Sequence, residues 1–211
     1  MHWLRSHISN LFYVLYDFFF SSKERIILLK TILALITFII YWWMFSWKTA
    51  IFMMIMIGAH ELGHCYRMKR VGVGSFGFFF IPLIGGVSGS LTEYKSSYDK
   101  AIVALEGVAW GTCLAIATLI TYRITGSLYL GVAAFWQAVF NIFNLIPISV
   151  LDGGRVVKIV ISSIKHRYVF PLLSKPQTIK VIALYGLWLS LLVLIMICTL
   201  DVSLRLEVFI K

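Results

Sequence analysis

The sequence predicts an all-α polytopic membrane protein of about five transmembrane helices, with a small membrane-associated β-hairpin between the second and third. Three observations predict it. Of 211 residues, 60% are hydrophobic and 13% charged, against roughly 45–50% apolar and about 25% charged in an average soluble domain. Five apolar stretches, 26–47, 49–68, 101–122, 128–150 and 179–200, are long enough to cross a bilayer, which takes about 20 residues. The stretch 71–91 breaks the pattern with six glycines and Pro82.

Taken in order, the apolar run 11–20 holds Asp17, is followed by Lys23, Glu24 and Arg25, and offers no small-residue cleavage site. It is therefore no cleavable signal peptide, and 1–25 is expected to lie at the membrane interface. Short turns around Lys48 and at Thr125-Gly126 make antiparallel hairpins of the first two spans and of the middle two. In 71–91, glycine and proline exclude a spanning helix. Aromatic and β-branched residues around Pro82 and Gly85-Gly86 suggest a β-hairpin or re-entrant loop, tolerated at membrane depth only beside protein or a wet cavity. No linker, repeat or low-complexity tract divides the chain, so 1–211 is read as one domain, its motif-bearing core at 49–164.

The net charge of +10 is distributed between the apolar blocks. With a cytosolic N-terminus, only Lys48, Arg123, Arg205 and Lys211 of the 19 basic residues fall outside. This supports an inside N-terminus, an outside C-terminus and contact with anionic lipid. No zinc-finger or base-stacking pattern points to nucleic acid. Cys65, Cys113 and Cys198 have no metal or disulfide spacing and read as small buried side chains.

Of nine acidic residues, only Glu61, Glu106 and Asp152 lie within or against the spans, where an ionisable group costs a few kcal/mol or more. Two of them fall in metal-site patterns. His60-Glu61-Leu62-Gly63-His64 is an H-E-x-x-H on the second span. Residues i and i+4 share a helix face, so both imidazoles can address one ion. Glu61, about 100° around the helix, can address a water there. Zinc favours imidazole and carboxylate ligands, and a catalytic site keeps one position open. The second pattern, Asn144 to Gly154, ends in Asp152-Gly153-Gly154 at the cytosolic end of the fourth span. It can supply a third ligand, since the charge-derived topology puts Asp152 at the depth of the histidines. Asp152 also reads as a helix N-cap, and the two roles can coexist. Gly153 and Gly154 are expected to let the backbone turn sharply.

The pair H-E-L-G-H and N-x-x-P-x-x-x-L-D-G-G resembles the site-2 protease family of intramembrane metalloproteases, over about 51–164. The resemblance implies His60, His64 and Asp152 as ligands of one Zn2+ per chain and Glu61 as general base. It matches Asn144 to an asparagine near the active site, and the hairpin at Gly85-Gly86 to an element that receives substrate as an added strand. Substrates would be membrane-spanning proteins or peptides, cut within or near the bilayer in regulated proteolysis or peptide clearance. The expected location is the bacterial cytoplasmic (inner) membrane, active site toward the cytosol, with no PDZ or CBS domain attached to the core. The chain departs from the family pattern at Val108 and Gly111, where proline and asparagine are common.

Some roles have two readings. Asn144 could donate to a tetrahedral oxyanion or cap broken helix backbone near Pro147. Glu106 could hold a histidine Nδ1 or be a charge at the interface beside Lys100. His166 reads as a solvated loop residue. Two other functions compete with proteolysis. A zinc carrier has no use for Glu61 between its histidines, and a scaffold whose polar residues join helices predicts no stoichiometric zinc.

Overall fold

The computed structural model describes residues 23–165 and 173–203, so the proposed interfacial segment falls outside them up to residue 22, as does His166. The described chain is mostly helical: α1 (Lys23–Met44), α2 (Trp47–Arg70), β1 (Ser75–Ile81), β2 (Gly85–Ser90), α3 (Ser97–Thr125), α4 (Leu128–Leu145), α5 (Asp152–Lys165), α6 (Lys175–Cys198) and the short α7 (Leu200–Ser203).

Local signals account for the boundaries. The Ser46 hydroxyl accepts from Thr49 N at the start of α2, and Ser96 accepts from Asp99 N at the start of α3, each satisfying a free helix-end donor. Gly126, at φ 67°, closes α3 in the left-handed conformation. The Gln177 side chain accepts from Ser174 N where α6 begins. The fourth expected span stops short of residue 150. Pro147 cannot continue the helix and holds Ile146 extended (φ −60°, ψ 138°), so α4 ends at Leu145.

Among the described residues, four helices are long and apolar enough to cross a membrane: Glu24–Met44, Ser97–Thr125, Leu128–Leu145 and Lys175–Cys198. The other expected span forms α2, as long as α6 but more polar, because it carries His60, Glu61, His64 and the basic end Arg67, Lys69 and Arg70. Large apolar side chains point outward along the bundle, among them Ile27, Trp43, Ile124 and Ile197. Water does not favour such a surface; lipid does.

The core lies where α3 packs against α2, α4, α5 and α6. Ala101, Ala104, Leu105 and Val108 of α3 meet Ala134, Ala138 and Leu145 of α4, Val156 of α5 and Leu192 of α6. Small residues let helix backbones approach closely where lipid supplies no hydrophobic drive. Gly63 lets the backbones of α2 and α3 approach closely: a Cβ there would lie 2.6 Å from Glu106 O. The hairpin is antiparallel, pairs Phe79 with Val87 and Ile81 with Gly85, and packs on α1 and α2. Its turn is tight enough to place Leu83 at φ 65° and Gly85 at φ 125°, and the second value is one that glycine adopts at no steric cost.

Candidate metal centre

His60 and His64 project from one face of α2, both buried, as their four-residue spacing requires. Asp152 is the first residue of α5 and is 5% exposed. The break at Pro147 turns the chain so that α5 delivers this carboxylate to the histidines. His60 Nε2 lies 3.1 Å from His64 Nε2, and Asp152 Oδ2 lies 3.1 Å from each. The far nitrogens are tied down: His64 Nδ1 donates to Val103 O at 2.8 Å, and His60 Nδ1 donates to Asn141 Oδ1 at 3.1 Å.

These outer bonds test whether a metal fits. With both Nδ1 atoms carrying the protons, both Nε2 lone pairs face the carboxylate oxygen. One proton bridges two of these atoms and leaves the third opposed; a divalent cation satisfies all three. Ligands about 2.0–2.1 Å from a tetrahedral zinc lie about 3.3 Å apart, close to the observed triangle. Two imidazoles and a carboxylate suit zinc, and three protein ligands leave a position open. The residues fit the ion.

A cavity of about 240 Å³ opens on this triangle. Glu61, Asn144 and Arg155 line it with Gly86, Val87 and Ser88 of β2 and with Phe140 and Phe143 of α4. The sequence-derived candidates His60, Glu61, His64, Asp152, Asn144 and Gly86 therefore converge. Gly86 lies directly against the general-base candidate: a Cβ there would meet Glu61 Cγ at 2.4 Å. Gly85 lies at the turn, where a Cβ would meet only Phe140, at 3.9 Å. The Asn144 amide donates to Phe140 O one turn back. Arg155 Nη1 stands 3.8 Å from Asp152 Oδ1 at the cavity edge.

Of the two readings of Glu106, the partner of a histidine Nδ1 is excluded, because Asn141 and Val103 O occupy both positions. Two expectations are corrected. The cysteines are not buried: Cys113 is exposed, and Cys65 and Cys198 are half-buried. Gly153 and Gly154 do not make a sharp turn through unusual dihedrals. They lie in the first turn of α5, outside the set of glycines with positive φ. What they provide is space: a Cβ would lie 2.0 Å from Leu145 O at Gly153 and 1.9 Å from Ile148 O at Gly154. Sequence reasoning missed Asn141, Val103 and Arg155. For Asn141 a signal existed, since Gln137 and Asn141 form a polar i, i+4 pair on a largely apolar helix. For the Val103 carbonyl there was none.

Residues 121–194 match the model of Peptidase family M50. That segment includes Asn144 and Asp152 but not His60 or His64. Rip3 of Mycobacterium tuberculosis is 30% identical over 128 residues, 56% of this chain and 32% of its own length. The protein sll0528 of Synechocystis is 30% identical over 126 residues, again 56% of this chain and 32% of its own length. Both carry provisional zinc-metalloprotease names. The zinc metalloprotease MJ0392 of Methanocaldococcus jannaschii is 27% identical over 150 residues, 69% of this chain and 41% of its own length. The chain thus spans a third to two fifths of the length of these relatives. No solved structure matches it. The chain is thus similar to the M50 peptidases, the site-2 protease family, and the four apolar helices among its described residues fit a multi-pass membrane protein.

Proposed function

We propose, from the resemblance to the M50 peptidases, that the chain is a zinc metalloendopeptidase that cleaves membrane-spanning substrates within or near the bilayer. The observation that carries the reading is the triangle of His60 Nε2, His64 Nε2 and Asp152 Oδ2, 3.1 Å on each side, with both Nδ1 atoms engaged elsewhere.

His60, His64 and Asp152 would hold the zinc. When bound, it supplies Lewis acidity to the scissile carbonyl and to a water. Glu61, in the same cavity wall, takes the proton as the water attacks and passes it to the leaving amine. Asn144 lines the same cavity, where a side-chain amide can face developing negative charge. Phe140 and Phe143 make part of that lining apolar, which strengthens the electrostatic terms.

A spanning substrate hides its peptide bonds in i to i−4 hydrogen bonds and must unwind locally before attack. Lipid cannot satisfy the freed backbone. Strand β2 can, by accepting the substrate as a further strand, and its residues Gly86, Val87 and Ser88 already face the cavity. Both helices that carry the triangle are basic beyond it: Arg67, Lys69 and Arg70 end α2, and Arg155, Lys158 and Lys165 follow Asp152 on α5. By the excess of positive charge on inner loops, the site then faces the cytosolic side of the cytoplasmic membrane.

The test is purified protein in detergent, assayed for zinc content and for cleavage of a panel of single-span substrates, with Glu61→Gln as control. The expected result is one zinc in each protein and cleavage by the wild type alone. Undiminished cleavage by Glu61→Gln refutes the mechanism.

A further inference from the structure

We propose that Asn141 is a positioning residue that holds His60 in its metal-binding tautomer, and that Gly111 is the space that admits it. This rests on the zinc reading above. Asn141 is fully buried in α4 and reaches across to α2. Its Nδ2 donates to Gln137 O at 2.8 Å, one turn back on its own helix. That bond leaves Oδ1 as the atom facing His60 Nδ1, 3.1 Å away. An amide oxygen only accepts, so Nδ1 must carry the hydrogen, and the neutral ring then presents Nε2 as a lone pair. In the other tautomer two lone pairs face each other at Nδ1, and the proton on Nε2 blocks the ion.

The opposing helix is shaped for this contact. A Cβ on Gly111 would lie 2.1 Å from Asn141 Oδ1, 2.5 Å from Nδ2 and 2.6 Å from Cγ. Every atom of the amide head would have to move. Gly111 lies within α3 and has no positive φ, so conformational freedom does not explain a glycine there, and space does. His64 differs: its Nδ1 partner is the backbone carbonyl of Val103, which side-chain substitution leaves in place. The orientation of His60 thus depends on one side chain and one gap.

The experiment is zinc affinity of the full chain in detergent, read by competition with a chromophoric chelator, with the unfolding temperature measured alongside. Asn141→Leu keeps the size and removes the acceptor. It is expected to weaken zinc roughly 10–100-fold, as loss of an outer partner of a ligating histidine usually does. Gly111→Ala should weaken zinc in the same direction by displacing the amide. Asn141→Asp keeps an oxygen toward Nδ1 and should lose less than about tenfold. The Co2+-substituted protein should keep its visible spectrum in Asn141→Asp and change it in Asn141→Leu, because that spectrum reports ligand geometry. Equal weakening by Asn141→Asp and Asn141→Leu overturns the proposal in favour of plain packing, as does wild-type affinity in both Asn141→Leu and Gly111→Ala. Should Asn141→Leu fail to fold, Asn141→Asp against Gly111→Ala decides by the same criterion. A wild type that takes up no zinc overturns the metal reading itself, a result distinct from these.

Discussion

Replacing Gly107 by alanine should expel zinc while leaving the fold nearly intact. Gly107 of α3 faces the His64 ring, and an alanine Cβ would lie 2.4 Å from both Cε1 and Nε2. Ordinary contact begins near 3.4 Å, so something must move by about 1 Å. Either α2 and α3 separate or the imidazole swings away. Separation disturbs the Gly63–Glu106 backbone contact and the core beneath α3, and overpacking of that kind costs about 1–3 kcal/mol. Swinging the ring breaks the bond to Val103 O and leaves a buried donor without its acceptor, at about 1–3 kcal/mol, but it moves one side chain and strains no backbone. In the metal-free protein the ring yields first, and stability falls by about 1–3 kcal/mol. The larger loss then falls on the metal, because a site tolerates ligand displacements of only about 0.2 Å. Affinity should drop by more than about 100-fold, beyond what loss of an outer partner produces. Chelator competition and thermal unfolding on the same preparation measure both quantities. Unchanged zinc affinity with a clearly lowered unfolding temperature would show that the helices, not the ring, give way.

Two further glycines separate other parts of the mechanism. Gly86→Ala pushes a Cβ against Glu61 Cγ and Oε1 without touching a metal ligand. Zinc content should be unchanged while cleavage falls at least about tenfold, since general-base catalysis contributes roughly 10²–10⁴-fold; full cleavage at equal zinc refutes the assignment. Gly153→Ala meets the backbone oxygen of Leu145 at 2.0 Å, where no side chain can move aside. A loss of about 1–3 kcal/mol should appear as a lower unfolding temperature, with weaker zinc because Asp152 shifts too, and a wild-type unfolding curve contradicts it.

Much of the site is legible in the sequence because its signals are local. The four-residue spacing of His60 and His64 puts both on one helix face whatever surrounds that helix. Glycine and proline in 71–91 exclude a spanning helix, and a hairpin forms there. Pro147 shortens α4 for reasons already present at Pro147 and Ile146. Asn141 and Asn144, three residues apart on α4, show where local reading stops. Asn144 stands in the motif that ends in Asp152 and lines the cavity, whereas Asn141, outside that motif, holds His60. The choice between them depends on the rotation of α4 about its axis, which is set by the packing of Ala134 and Ala138 against α3. Gly111 likewise makes sense only once Asn141 is seen opposite it.

The sequence by itself determined the ligand types, their spacing on α2, the helical class and the break that precedes Asp152. Those follow from backbone geometry and from the cost of charge in lipid, both properties of short segments. Only the tertiary structure decided which groups hold each Nδ1, which glycines are required for space, and that Asp152 closes the triangle with His60 and His64. These are contacts between residues far apart in the chain, fixed by how helices pack rather than by what any one of them contains.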